Sequence, residues 1–353
     1  MQTGNAVKVL LIAALLLVAG AAWAAKPRVV ILATGGTIAG AQAEGQDAGY
    51  KAGSFQVEDL IKAVPKLGEL AEISGEQVVN IGSQDMNNEV WLKLAKRLNE
   101  VLAQRDVDAV VITHGTDTME ETGYFLSLVA HSSKPVVMVG SMRPATATGA
   151  DGPANLYNAV AAAVHPKARG RGVLVVLNDE IHYAREATKT NTTQLDTFKS
   201  PNRGKAGMAN AGRVYWYDAL ATKYTSASAF SVDGLSTLPR VEIVYAYANV
   251  GRDFIDTCVA KGCKGIVLAG VGDGNATQSA VEGLRDAVKK GVAVVRSSRT
   301  NSGITDRNVE LNDDELGTIA SMELNPQKAR VLLMLGLTKT GDAKKLQEYF
   351  YEY

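Results

Sequence analysis

Hydroxyls, carboxylates and one lysine stand at the ends of apolar runs in this sequence, and their types suit nucleophilic attack on a carbonyl carbon. Thr37 closes the stretch Val29-Val30-Ile31-Leu32-Ala33-Thr34-Gly35-Gly36-Thr37. The branched run reads as a strand buried on both faces. The paired glycines permit backbone angles and close approaches that a Cβ resists. The Thr37 hydroxyl would then sit at the carboxyl end of a central strand, where open α/β sheets bind ligands. The plainer alternative is that Thr37 caps the segment after it. Thr116 and Asp117 lie side by side after a second buried run, residues 109–112, and Lys189 follows Asn178-Asp179-Glu180 at the end of another. A threonine hydroxyl is not ionised at neutral pH, but a partly desolvated lysine poised by a carboxylate can accept its proton. Thr116, Lys189 and Asp117 are the types for nucleophile, base and orienter, unless Lys189 is simply a solvated surface lysine. Tyr50 would pair with Thr37 as a second hydroxyl, able to relay or orient the proton. It closes a glycine-punctuated loop, residues 40–53, that reads as a lid.

Other chemistries fit less well. Gly35-Gly36-Thr37-Ile38-Ala39-Gly40 misses the dinucleotide fingerprint because Thr37 takes the second required glycine position, and no Walker A pattern occurs. Gly270-Val271-Gly272-Asp273-Gly274 lacks the rest of either pattern and reads as a tight strand-to-helix turn. His114, His131, His165 and His182 show no zinc-ligand spacing, so no metal is expected. The 37 basic residues balance 37 acidic ones, which argues against a nucleic-acid partner.

These residues need a scaffold, and the periodicity supplies one. Strands are predicted over 76–81, 109–112, 135–139 and 172–177, and helices over 57–64, 91–103, 120–130 and 155–164. Their alternation predicts a parallel sheet with helices on both faces, so the polar clusters that end each strand collect along one edge. Residues 217–240 lose periodicity and read as a connection. A second unit follows, with strands over 241–247, 265–269 and 292–296 and helices over 254–261, 279–290, 325–338 and 343–350. The expected fold is therefore α/β, with a larger N-terminal parallel-sheet domain (25–217), a linker (218–240) and a smaller C-terminal α/β domain (241–353).

Residues 1–24 stand apart from this scaffold. Lys8, an apolar run over 9–18 and the close Ala22-Trp23-Ala24 have the form of a secretory signal peptide, and the run is short of the roughly 20 residues a bilayer span needs. Cleavage after Ala24 would export a protein with no membrane anchor, to the periplasm. The two cysteines, Cys258 and Cys263, lie close enough in sequence to form a disulfide there or to remain small buried thiols; both readings stay open.

Taken together, the motifs resemble the type II L-asparaginases, exported bacterial amidohydrolases that include the glutaminase-asparaginases. The resemblance rests on Ala33-Thr34-Gly35-Gly36-Thr37-Ile38-Ala39-Gly40, Gly82-Ser83-Gln84-Asp85, Thr113-His114-Gly115-Thr116-Asp117-Thr118, Met142-Arg143-Pro144 and Lys189-Thr190-Asn191. It continues through Val295-Arg296-Ser297-Ser298-Arg299 and Leu324-Asn325-Pro326-Gln327-Lys328-Ala329-Arg330, and so covers essentially the whole mature chain. It implies hydrolysis of L-asparagine to L-aspartate and ammonia through an acyl-enzyme on Thr37, assisted by Tyr50, without metal or organic cofactor. Thr116, Asp117 and Lys189 are implied as the second catalytic set. Ser83 and Gln84 would hold the substrate's α-carboxylate and α-amino groups, Asp117 would also face the ammonium, and the Ser141 backbone carbonyl would receive the amide nitrogen. The family's tetrameric assembly implies that Asn249 and Glu310 reach the site of a neighbouring subunit.

Three features depart from the family pattern or leave it open. The disulfide of some members lies in the N-terminal domain, so none carries over to Cys258 and Cys263. Ser141 replaces an alanine of some relatives, which a backbone role tolerates. The segment 41–48 varies within the family, so the balance of L-glutamine to L-asparagine hydrolysis stays open, and comparable activity on both amides is the alternative. A periplasmic amino-acid-binding protein is the competing class, but it would need no activated hydroxyls.

Overall fold

The computed structural model describes residues 25–42, 49–217 and 219–353. The signal-peptide reading of residues 1–24 and most of the lid segment 41–48 fall outside the described residues.

In chain order the first unit carries β1 (Arg28–Gly35), the short pair β2 (Ala41–Gln42) and β3 (Tyr50–Lys51), α1 (Val57–Lys62), α2 (Leu67–Leu70), β4 (Glu72–Ile81), α3 (Asn88–Ala103), β5 (Ala109–Thr113), α4 (Met119–Val129), β6 (Val136–Val139), α5 (Gly152–Val164), β7 (Val173–Leu177), β8 (Glu180–Tyr183), β9 (Thr188–Lys189), β10 (Phe198–Lys199), β11 (Gly207–Asn210) and β12 (Arg213–Trp216). Eight of these strands form one sheet in the order β12-β11-β8-β7-β6-β5-β1-β4. From β4 to β7 every pairing is parallel, while β8, β11 and β12 run antiparallel to their neighbours. The sheet is thus mixed, where the apolar runs alone predicted a parallel one. The reversal needs only a two-residue turn after β7, at Asn178 and Asp179, which both take the left-handed backbone conformation (φ 50° and 62°).

The central strands are buried on both faces, as their unbroken apolar runs require. Val30, Leu32, Val110 and Ile112 face one core, with α3 and α4; Val29, Ile31, Ala33 and Val111 face the other, with α1 and α5. This alternation is the two-residue period of an extended strand.

The second unit carries β13 (Val241–Tyr245), α6 (Asp253–Ala260), β14 (Gly265–Gly270), α7 (Gln278–Lys289), β15 (Ala293–Ser298), α8 (Asp313–Leu316), β16 (Ile319–Ala320), α9 (Pro326–Gly336) and α10 (Ala343–Glu352). Its four strands form a parallel sheet in chain order. One face, through Val241, Val267 and Val295, joins the same apolar cluster as α3 and α4, and α9 lies between the two units. The connecting stretch 219–240 contributes Phe230 and Val232 to that cluster, both fully buried. Cys258 and Cys263 are both free. Burial, reinforced by the neighbouring Cys263, pushes the Cys258 thiol up to about 11.

Candidate active site

Four adjacent parallel strands, β4, β1, β5 and β6, end side by side, and each runs into a tight polar turn. After β1 come Gly35 and Gly36 and a 3-10 turn over Thr37–Ala39; after β4 a 3-10 turn over Ser83–Asp85; after β5 another over Thr116–Thr118; after β6 the stretch Gly140-Ser141-Met142-Arg143. The pairing of β1 with β4 shifts register between Ala33 and Gly35, a local irregularity of the kind that re-aims side chains beside active sites.

Two glycines decide how closely these turns meet. Gly36 has φ 84° and ψ −172°, a conformation essentially reserved for glycine. A Cβ on Gly36 would lie 2.3 Å from the backbone nitrogen of Gly115 and 2.4 Å from its Cα. A Cβ on Gly115 would in turn lie 2.6 Å from the Ser83 Oγ and 3.1 Å from the Gly36 Cα. Backbone therefore packs directly on backbone, and the turns bearing Thr37, Thr116 and Ser83 share one small region.

Thr37 is buried, and its Oγ1 lies 2.8 Å from the Tyr50 hydroxyl. Tyr50 itself is 44% exposed, so its ring covers the threonine from the solvent side. The ring rests where a Cβ on Gly40 would come within 2.9 Å of it. The strap behind it is pinned by Gly53, whose N–H donates to the Gly36 carbonyl at 3.2 Å, and by Phe55, which donates to the Ala39 carbonyl at 2.9 Å.

Thr116 is also buried, and its Oγ1 accepts from the Lys189 Nζ at 2.9 Å. The same ammonium lies 2.6 Å from the Asp117 Oδ1. The lysine is mostly buried, with 17% of its side chain exposed, while 56% of the Asp117 side chain remains exposed. One end of the pair is largely withdrawn from water and the other is open to it.

Ser83 is buried; its Oγ accepts the Asp117 N–H at 3.1 Å, and its carbonyl accepts from the Thr118 hydroxyl at 2.7 Å. Gln84 is exposed and donates to the Asp85 carboxylate at 3.3 Å. Ser141 is buried and turns its hydroxyl to the Arg143 carbonyl at 2.7 Å. The turn after β6 is anchored by the Asp151 carboxylate, which accepts the N–H groups of Met142 and Arg143 at 3.0 and 2.9 Å. Beneath the Thr116 turn lies His114, fully buried, whose Nδ1 is 2.7 Å from the Gly115 carbonyl and whose Nε2 has no partner among the described residues. Burial lowers its pKa to about 4, so the ring is neutral and acts as a fixed strut.

The fold thus brings together Thr37, Tyr50, Ser83, Thr116, Asp117, Lys189 and Ser141. Asn249 and Glu310 are elsewhere: both are exposed on the second unit, and neither hydrogen-bonds to this cluster among the described residues. Among the described residues no three His, Cys, Asp or Glu side chains converge in a way that would hold a metal ion. Sequence reasoning missed Glu120, Asn325 and Gln327, which stand directly behind Lys189: the Glu120 Oε2 accepts the Lys189 backbone N–H at 3.0 Å, and Gln327 hydrogen-bonds to the Glu120 Oε1. Two amides in the run Asn325-Pro326-Gln327 signalled a capped helix start, but not the partner it would meet.

The arrangement offers two buried alcohols, one hydrogen-bonded to a phenol and one to a lysine, on adjoining turns that also carry a serine hydroxyl and a carboxylate. That set can attack an amide carbon while holding a small zwitterion. Comparison with known proteins agrees in kind. Residues 28–222 match the family model "Asparaginase, N-terminal" and residues 240–350 match "Glutaminase/Asparaginase C-terminal domain". The chain is 54% identical over 328 residues to L-asparaginase 2 of Bacillus subtilis, covering 93% of this chain and 87% of that protein. It is 50% identical to a probable periplasmic L-asparaginase of Haemophilus influenzae, covering 93% of each. The crystal structure of a probable cytoplasmic L-asparaginase from Campylobacter jejuni superposes with a TM-score of 0.87 at 47% identity, covering 93% of this chain and all of that one.

Proposed function

The chain belongs to the type II asparaginase family, and from that membership we propose that it hydrolyses the side-chain amide of L-asparagine to L-aspartate and ammonia. Thr37 attacks the amide carbon while the Tyr50 phenol, 2.8 Å away, relays the hydroxyl proton towards the leaving nitrogen. Ammonia departs and leaves an ester on Thr37. Water activated at the Thr116 hydroxyl, with Lys189 as its base once in the neutral amine form and Asp117 orienting the lysine, then cleaves that ester. Ser83 and Gln84 receive the α-carboxylate and α-amino groups, Asp117 also faces the ammonium, and the Ser141 carbonyl receives the amide nitrogen. The observation that carries this reading is the Gly36–Gly115 contact, which sets two buried threonines, each with its own proton partner, on adjoining turns. Thr37→Ala is expected to cut ammonia release from asparagine by at least about 10³-fold. A folded variant that kept most of that release would refute the assignment.

L-Glutamine is expected as a secondary substrate, because one methylene is worth only about 1–3 kcal/mol of discrimination. Comparable activity on the two amides is the second reading; the family model matched by the second unit names both glutaminase and asparaginase. The ratio of kcat/KM for the two substrates decides between them. The limits of the two family matches support a boundary between a catalytic domain at 25–217 and a C-terminal domain at 241–353, joined by 218–240. Residues 1–24 are read as a signal peptide for export to the periplasm, in keeping with the name of the Haemophilus relative, although the Campylobacter protein is named as cytoplasmic. From the family resemblance we infer a homotetramer in which Asn249 and Glu310, exposed on the second unit, complete the site of a neighbouring subunit.

A further inference from the structure

We propose that Glu120 is a positioning residue for Lys189, and that through it the seating of α9 sets the distance between the lysine and the Thr116 turn. This rests on the function proposed above for Lys189.

The need for such a residue follows from how little else holds the lysine. Lys189 lies on β9, a two-residue strand outside the main sheet that pairs only with the two residues of β10. So short a hairpin is not stable by itself. The Lys189 side chain is long and flexible, and ordering it costs about 2 kcal/mol of rotamer freedom. Its Nζ nevertheless meets Thr116 at 2.9 Å and Asp117 at 2.6 Å, so the main chain beneath it must be fixed by other groups.

Glu120 and the first residues of α9 supply that support. The Glu120 carboxylate, 4% exposed, accepts the Lys189 N–H through Oε2 at 3.0 Å. Its Oε1 accepts from the Gln327 side chain in a short hydrogen bond and more weakly from the Asn325 Nδ2 at 3.5 Å. Asn325 also reaches the Thr188 Oγ1 at 3.3 Å while its Oδ1 caps α9 by accepting the Lys328 N–H at 3.1 Å. The buried Lys328 donates to the Ala187 carbonyl at 2.5 Å. Three consecutive residues, Ala187, Thr188 and Lys189, are therefore gripped from one side by the start of α9 and by Glu120.

Glu120 is the member that closes the geometry. It lies three residues after Asp117, at the start of the helix that continues the catalytic turn. Its carboxylate thereby ties the Lys189 backbone to the same turn that receives the Lys189 ammonium. A buried carboxylate is costly without donors, and here the donors come from β9 and from the second unit. A shift of α9 reaches the Lys189 N–H through Glu120, and reaches the two residues before it through Asn325 and Lys328.

The test is Glu120→Gln in the full chain. Glutamine keeps the shape but offers a single acceptor oxygen to donors arriving on both sides. We expect kcat on asparagine to fall about 10- to 100-fold, since a displacement of about 1 Å costs about 10², with KM within about twofold. In a Lys189→Met background the same substitution should change residual turnover by less than about twofold, because the group it positions is gone. Equal losses in both backgrounds, or an unchanged kcat, overturn the proposal. Hydrogen exchange gives a readout independent of turnover: the amides of 187–189 should lose at least tenfold protection in Glu120→Gln while those of β5 keep theirs. Unchanged protection overturns the clamp. If Glu120→Gln does not fold, Gln327→Leu serves instead, with a several-fold loss of kcat expected and full retention overturning the link to α9. Failure of the unaltered chain to release ammonia from asparagine would sink the functional reading, and the exchange measurement would still decide the clamp.

Discussion

A single methyl group added at Gly36 should disable this site without touching any reacting atom. In Gly36→Ala the new carbon would stand 2.3 Å from the Gly115 nitrogen, 2.4 Å from its Cα and 2.9 Å from the His114 carbonyl carbon, all backbone atoms. Non-bonded carbon contacts settle at about 3.5–4.0 Å, so the turns carrying Thr37 and Thr116 must part by about 1 Å. Misplacement on that scale costs about 100-fold in turnover. Alanine must also hold φ 84° and ψ −172°, at a further cost of about 1–3 kcal/mol in stability. The measurements are ammonia release from asparagine and thermal unfolding. Gly68→Ala is the control: Gly68 lies in α2, an added Cβ there meets nothing within 4 Å, and both readings should hold or improve slightly. Gly115→Ala should differ again, because its Cβ meets the Ser83 side chain at 2.6 Å and so disturbs KM before kcat. A Gly36→Ala protein with native melting temperature and more than half of the original kcat/KM would refute the claim that this contact assembles the site.

Two stability effects can be measured separately. Burial holds the Glu121 carboxyl up at about 7 against the pull of Arg330 and Lys328. Its folded form thus favours the proton, and this contribution to stability is full below about pH 4.5 and lost as the pH rises through 7. Glu121→Gln should gain up to about 3 kcal/mol over the parent at pH 8 and nothing at pH 4, and an equal gain at both would count against it. In the second unit the Arg296 guanidinium and the Asp313 carboxylate are fully buried and paired at 2.7 Å through two nitrogens and both oxygens. Asp313 also accepts the Asn308 N–H at 3.0 Å and so shapes the segment that bears Glu310. Asp313→Ala should cost about 3–5 kcal/mol by stranding the arginine; a denaturation midpoint close to the parent's would show the pair to be dispensable.

The sequence by itself determined the central sheet and the turns at its edge. Runs such as Val29–Leu32 and residues 109–112 are legible because burial on both faces demands unbroken apolar side chains, and a strand fixes where its last residue points. That local logic sufficed to bring forward Thr37, Thr116 and Asp117, whereas Ser83 came forward only through the family resemblance. It did not reach β8 to β12, whose pieces of two to four residues carry no apolar period long enough to read. Nor did it reach the antiparallel edge, which two left-handed residues decided. Only the tertiary structure set Gly36 against Gly115 and Glu120 between Lys189 and Gln327, partners 79 places apart in the first case and 207 from Glu120 to Gln327 in the second. The physical reason is range. Periodicity and turn chemistry act between neighbours in sequence, whereas the placing of Lys189 depends on how two separately patterned units press together.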